Sequence, residues 1–257
     1  MPLDTVYSVC PHDCPSACAL AVERIDGSRI GRVHGAEGQS YTRGIVCAKV
    51  ARYAERQHHP DRLSVPLRRI GEKGCGREQF APISWDEALD EVAEQLTLAT
   101  QRYGSESVWP HFYAGTMGRV QRDCIERFRH VLRYSRQHST ICNALTDAGW
   151  FAGLGAMRGI DGREIGQSDL IVIWGGNPVS TQINVMKHVA EARHRRGAKL
   201  VVVDPYRTGT AEVADIHLAP LPGTDGALAC AVMHVLFAEG YADRDYMAKY
   251  TDDPEGL

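Results

Sequence analysis

Four cysteines crowded near one end, Cys10, Cys14, Cys18 and Cys47, constrain this 257-residue chain more than any other feature. They read C-x3-C-x3-C with a distant fourth, while Cys75, Cys124, Cys142 and Cys230 lie far apart. A secreted disulfide framework is denser than this and follows an export signal. The crowding therefore points to metal ligation at one end, and Cys75, Cys124 and Cys230 are read as structural. Four thiolates are what a [4Fe–4S] cube needs, one per iron. Structural zinc sites favour two C-x2–4-C knuckles. The three-plus-one grouping favours the cube, but spacing by itself leaves zinc open. Lys49, two residues after Cys47, places a cation where it would raise a cluster's reduction potential. A solvent-facing lysine is the plainer reading of that position.

Around these cysteines the chain alternates short β-like runs with turns: Val6 to Val9, Ala19 to Ile25 and Arg29 to His34. Asp26-Gly27 is a hairpin signal between the last two. Residues 60–82, rich in Pro, Gly, Arg and Lys, read as connection. Ser84 with Glu87 three residues later forms a capping box. The apolar residues behind it recur at helical spacing and predict a helix ending near Tyr103-Gly104. A strand over Val108 to Tyr113 and a helix over Val120 to Tyr134 come next.

The second half alternates strand and helix. Asp169 to Trp174 is a near-continuous apolar run, the pattern of a strand buried on both faces. A helix from about Thr181 to Arg196 is closed by Gly197, and Lys199 to Val203 is the next strand. The unit is a right-handed βαβ crossover. A further helix runs from about Thr224 to Glu239. The fold class is α/β: a small β-rich domain over 1–64, then a doubly wound, Rossmann-like parallel α/β region over 65–257.

Ligands of open α/β sheets sit beyond the C-terminal ends of the strands. The first strand runs into Gly175-Gly176-Asn177-Pro178 and the second into Asp204-Pro205-Tyr206-Arg207. Glycines admit a ligand close to the backbone, and Asp204 is placed for a ribose diol. With no G-x-G-x-x-G, nicotinamide-type dinucleotide binding is not indicated. G-G-N-P is equally an ordinary turn signal. Pro222-Gly223-Thr224-Asp225 opens the next helix, where backbone N–H groups meet an anion or Thr224 simply caps.

A net charge of -3 gives no electrostatic case for nucleic acid or an anionic membrane. No apolar run approaches the roughly 20 residues of a membrane span. Residues 1–9 carry neither a basic start before an apolar stretch nor a twin-arginine signal, so the expected location is cytoplasmic.

In this order and spacing, the motifs resemble the dimethyl sulfoxide reductase superfamily of molybdenum/tungsten enzymes. The matching residues are Cys10-Pro-His-Asp-Cys14, Cys18, Arg43-Gly44-Ile-Val-Cys47-Ala-Lys49, Ile83-Ser-Trp-Asp-Glu-Ala88, Trp174-Gly-Gly-Asn-Pro178, Asp204-Pro-Tyr-Arg207 and Pro222-Gly-Thr-Asp225. The resemblance implies that Cys10, Cys14, Cys18 and Cys47 hold a [4Fe–4S] cluster and that Lys49 lies between cluster and pterin. It implies that Gly175, Asn177, Asp204, Arg207, Gly223 and Asp225 contact a molybdopterin guanine dinucleotide bearing Mo or W. The family's metal ligand comes from a loop that here reads Ser139 to Asp147. Cys142, a soft thiolate suited to molybdenum, is the candidate, with an ordinary buried cysteine as the equal alternative. Related members often carry Asp where this chain has Asn143.

Family members are several times longer, so the chain reads as their N-terminal part, lacking a C-terminal domain that completes the cofactor cleft. The function expected is a pterin-dependent oxidoreductase passing electrons between a small substrate and the cluster, and on to an iron–sulfur or other electron-transfer subunit. Formate, a sulfur oxyanion, an N- or S-oxide and nitrate all suit it. Two rivals stand beside it: a non-catalytic relay subunit related to the large iron–sulfur subunit of NADH dehydrogenase, and a zinc-stabilised nucleotide-binding module.

Overall fold

The computed structural model of the chain describes residues 4–112, 119–137 and 143–253. They divide into two compact units, Met1–Asp161 and Gly162–Leu257.

The first unit opens with an antiparallel meander of β1 (Asp4–Val9), β2 (Ala19–Arg24) and β3 (Ile30–Gly35), in the order β1-β2-β3. The hairpin expected at Asp26-Gly27 joins β2 to β3. The Asp26 carboxylate accepts from the Ser28 and Arg29 backbone N–H groups, each at 2.8 Å, so the side chain shapes the turn. Two short helices, α1 (Ala48–Ala51) and α2 (Tyr53–Gln57), pack against β3. Cys18, Leu20, Val33 and Val50 form the core of this layer, and Cys10, Val46, Cys47 and Tyr53 pack against it.

Residues 60–82 are not connection alone. They contain a hairpin of β4 (Leu67–Arg69) and β5 (Phe80–Pro82), three residues each, with Leu67 opposite Pro82. Strands this short cannot display the alternation by which a strand is recognised. Arg68 ties the hairpin to the next helix through a 2.6 Å ion pair with Glu91. That helix, α3 (Trp85–Tyr103), begins with the expected capping box, both halves of it formed between Ser84 and Glu87.

The strand expected from Val108 is absent over Val108–Phe112. Pro110 has no N–H to give a ladder, and isolated bonds (Ser135 N–H to the Val108 carbonyl, Phe112 N–H to Gln137 Oε1) take its place. The helices α4 (Arg119–Leu132) and α5 (Asn143–Leu154) follow. Tyr134 is buried edge-on against Phe128.

The second unit is built on a parallel sheet of β6 (Leu170–Trp174), β7 (Lys199–Val203) and β8 (Ile216–Leu218), in the order β6-β7-β8. The crossover helix expected from Thr181 to Arg196 breaks at Gln182 into α6 (Pro178–Thr181) and α7 (Ile183–Arg196), and Gly197 ends it in the left-handed conformation. A one-turn helix, α8 (Gly209–Glu212), links β7 to β8, and α9 (Asp225–Ala238) and α10 (Arg244–Tyr250) follow. The core gathers Ile171, Val189, Ala192, Leu200, Val202 and Ala211 between α7 and the sheet.

β6 is not buried on both faces as its apolar run suggested. Ile171 is in the core, while Leu170 and Val172 are 59% and 51% exposed. Periodicity separates the faces of a strand only when one of them is polar, and here both are apolar.

Candidate cofactor sites

Pairing of β1 with β2 sets the first three cysteines. Cys10 follows β1 and Cys18 precedes β2, and the Cys10 N–H donates to the Cys18 carbonyl at 2.9 Å. Between them the chain folds back through a turn in which Ala17 N–H bonds the Cys14 carbonyl. Ala17 takes φ 39°, a left-handed conformation that costs a non-glycine residue about 1–2 kcal/mol.

Cys47 arrives from the other direction. Its carbonyl starts α1 by accepting from Val50 and Ala51, and its side chain makes no cap bond. The loop leading to it presses on β3: a Cβ at Gly35 would collide with the Gly44 carbonyl. Arg43 and Gly44 take φ 46° and 78° to make that approach. Gln39 joins the two loops, donating to the Ala17 carbonyl at 3.1 Å and accepting from the Thr42 N–H at 3.0 Å.

The structure thus packs Cys10, Cys18 and Cys47 into one apolar layer, with Cys14 on the connecting turn. None of the four is paired in a disulfide. Among the described residues no three Cys, His, Asp or Glu side chains converge as they would around one metal ion. A single zinc holds its sulfurs roughly 4 Å apart. A cube binds each thiolate to a different iron, and four cysteines gathered from two loops supply one thiolate for each.

Two tyrosines that the sequence did not single out flank the cysteines. Tyr53 packs against the layer that holds Cys10 and Cys47; burial first, then the charge at Cys10, pushes its pKa up to about 12. Its ring lies 5.5 Å from that of His12. Tyr41 is bonded to Ser16 and faces Cys14 and Cys18, and burial raises its pKa. Lys49, on α1, opens onto a groove of 570 Å³ that it shares with Arg52, Arg56, His59 and Arg62. Basic side chains outnumber acidic ones in that groove, which Glu55 and Asp61 also line, Glu55 taking Arg52 at 2.6 Å.

In the second unit the strand ends form a continuous rim. Gly175, at φ 63°, turns the chain off β6 and bonds the Val203 carbonyl of β7 at 2.8 Å. Asn177 caps α6 through its backbone, which frees its side chain to cross to the next strand end. There Oδ1 accepts from Thr210 Oγ1 at 2.8 Å, and Nδ2 reaches Ser180 Oγ at 3.3 Å. Thr210 is wholly buried and also accepts from the Val179 N–H.

Asp204, the first residue after β7, is 8% exposed. Its Oδ1 accepts from the Tyr206 N–H and its carbonyl contacts His217. Arg207 is exposed beside it. Gly223, at φ 86°, leads into α9, whose first residue Asp225 accepts from Trp174 Nε1 at 2.7 Å. Thr224 does not cap α9 with its side chain; it bonds the Leu221 carbonyl instead.

All six residues read from the strand ends therefore lie along one edge of one sheet. Sequence reasoning missed Thr210 and the clamp formed by Trp174, because neither carries a local signal. Cys142 lies outside the described residues. The part of its loop from Asn143 onward is not loop but the start of α5. Cys75, Cys124 and Cys230 are exposed.

Comparison with known proteins assigns both regions. The family model "Molybdopterin oxidoreductase Fe4S4 domain" matches residues 3–59, and "Molybdopterin oxidoreductase" matches residues 62–254. The chain belongs to the molybdopterin oxidoreductase family. Its cofactors are accordingly a [4Fe–4S] cluster and a molybdopterin carrying Mo or W. Probable oxidoreductase YoaE of Bacillus subtilis is 36% identical over 97% of the chain and 36% of its own length. Formate dehydrogenase H of Escherichia coli is 30% identical over 96% of the chain and 34% of its own length. Among solved structures, acetylene hydratase from Pelobacter acetylenicus superposes with a TM-score of 0.64 at 25% identity, covering 94% of this chain and 33% of that one. The chain spans about a third of the length of these molybdopterin relatives. No helix among the described residues is long and apolar enough to cross a membrane.

Proposed function

We propose that this chain forms the electron-exit and nucleotide-gripping part of a pterin-dependent oxidoreductase, with the cluster domain over 1–64 and the pterin-binding region over 65–257. Cys10, Cys14, Cys18 and Cys47 ligate the cluster, and Lys49 lies on the electron route from pterin to cluster. The observation that carries this reading is the alignment of Asn177, Asp204 and Asp225 along one sheet edge, each held by a named partner.

When bound, the metal exchanges two electrons with a small substrate. The residues of this chain bind and orient. Asn177 is fixed by Thr210 and Ser180 and keeps one amide hydrogen for the guanine nucleotide. Tyr206 occupies Asp204 Oδ1, leaving the second oxygen to accept from a ribose hydroxyl. Arg207 meets the phosphate charge, Gly175 and Gly223 admit the ligand close to the backbone, and Asp225 reaches the base. Cys142 supplies a thiolate to the metal. A separate iron–sulfur or other electron-transfer subunit accepts the electrons one at a time.

The test is metal and nucleotide analysis of the full-length protein purified without oxygen. Iron together with molybdenum or tungsten, and guanine nucleotide released by acid, are expected. In Asp204→Ala the guanine nucleotide should fall severalfold while iron per chain stays constant. Iron without molybdenum or tungsten would replace this reading with that of an electron relay. A colourless zinc protein would replace it with a nucleotide-binding module.

A further inference from the structure

We propose that Trp174 makes the nucleotide site selective for guanine, because its indole N–H fixes the Asp225 carboxylate in the position where a base edge with two adjacent donors can bind it. The inference rests on the reading of Asp225 as a contact to the base. It adds which residue positions that carboxylate and what the pair selects.

The geometry is a meeting of two anchored segments. Trp174 ends β6 opposite Val203 of β7, and the Gly175 N–H bonds the Val203 carbonyl at 2.8 Å, so the backbone that carries the indole is held to the sheet. Side chains alternate along a strand. Ile171 and Ile173 belong to the core beneath α7, so Trp174 projects from the other face, where it is 39% exposed. Asp225 arrives 51 residues later, as the first residue of α9. A turn delivers it, in which the Thr224 N–H and hydroxyl both donate to the Leu221 carbonyl at 3.1 and 2.7 Å. Trp174 Nε1 then donates to Asp225 Oδ1 at 2.7 Å. Both side chains remain open to a ligand.

The chemistry of the pair narrows what can face it. An indole N–H only donates, and an ionised carboxylate only accepts, at about four lone-pair sites. Trp174 takes one of them, and a group that meets the rest must be a donor. Guanine presents its N1–H and its exocyclic N2 amino group side by side. Adenine and cytosine place an amino group next to a ring nitrogen that is itself an acceptor, which a carboxylate repels. An untethered aspartate at an exposed helix start samples several rotamers, and ordering it would weaken binding. The indole bond orders it beforehand. Trp174 acts through Asp225 and is a positioning residue.

GDP and inosine diphosphate are the probes, since the second lacks only the 2-amino group. Each is titrated calorimetrically into the full-length protein freed of its pterin cofactor. Wild type should bind inosine diphosphate about tenfold more weakly than GDP, the usual effect of one hydrogen bond to a charged acceptor. In Trp174→Phe the preference should fall to threefold or less, with most of the loss on GDP. Incorporation of 3-benzothienylalanine at position 174, which keeps the shape of tryptophan and replaces the N–H by sulfur, should do the same. It is the deciding variant if Trp174→Phe folds poorly.

A tether that merely holds α9 would weaken both nucleotides equally and leave their ratio at the wild-type value. That result, or full GDP preference in the benzothienyl protein, would overturn the proposal. Asp225→Ala separates its failure from that of the underlying reading. If wild type fails to prefer GDP, or Asp225→Ala keeps the preference, Asp225 is not a base contact and both fall. If Asp225→Ala loses the preference while the position-174 variants retain it, only the role of Trp174 falls.

Discussion

At the scale of single residues, the cysteine site depends on atoms that are absent as much as on those present. Gly35 must be glycine because the Gly44 carbonyl occupies the space a Cβ would fill. That contact presses the Cys47 loop onto β3. Gly35→Ala should destabilise the first unit by about 1–3 kcal/mol, the usual cost of overpacking. It should also lower iron per chain, because the loop must retreat and take Cys47 with it. Chemical denaturation together with iron quantitation checks both, and full iron content at unchanged stability would refute the account. The cysteines themselves were legible because ligand spacing is written in one dimension. Gln39, Tyr53 and Thr210 were not, because each acts on a partner far away in the sequence. Nothing about a lone glutamine, tyrosine or threonine announces which neighbour folding will bring to it.

Among the elements, legibility tracked length and local chemistry. Helix α3 could be read to within a residue because its start is marked by a reciprocal side-chain cap and its end by Gly104, which takes φ 85°. The three-residue strands β4, β5 and β8 are too short to carry a pattern. Their existence is decided by partners, and β8 shows how. Asp215, just before it, accepts from the Leu200 N–H of β7 at 2.8 Å and pairs with Arg193 and Lys199 at 3.4 and 3.5 Å. The Leu200 bond first, then the two cations, holds the Asp215 carboxyl below its ordinary value of 3.8. A carboxylate with a depressed folded pKa contributes stability that is complete above the unfolded value and fades as pH falls through the folded one. Unfolding followed from pH 6 downward should therefore show an acid-sensitive contribution beginning below about pH 4 that Asp215→Asn lacks. Parallel pH profiles for the two proteins would refute the role given to Asp215.

On the scale of the whole molecule, apolar surface outruns what the described residues cover. Trp85, Leu89 and Val92 form an exposed stripe on α3, and α9 buries none of its residues. A stripe at helical spacing and a strand with two apolar faces both demand cover in water. The 257-residue chain in isolation is expected to bind a hydrophobic dye such as ANS strongly and to self-associate above micromolar concentration. Dye fluorescence and sedimentation measure this, and a monomer with little dye binding would contradict it. Molybdopterin relatives include proteins named dehydrogenase, reductase and hydratase on related architecture. One fold therefore accompanies several differently named activities, and the fold by itself does not select a reaction.

By itself the sequence determined the family, the order of a cysteine-rich β unit before an α/β unit, and the residue types available for each cofactor. Ligand spacing, helix caps and strand ends are properties of neighbours along the chain and survive without coordinates. Only the tertiary structure decided that Gln39 ties the Ala17 turn to the loop before Cys47, that Thr210 orients Asn177 and that Trp174 holds Asp225. Each of these is a meeting between distant segments, and a one-dimensional pattern records what a residue can do but not which partner the fold places within hydrogen-bonding reach of it.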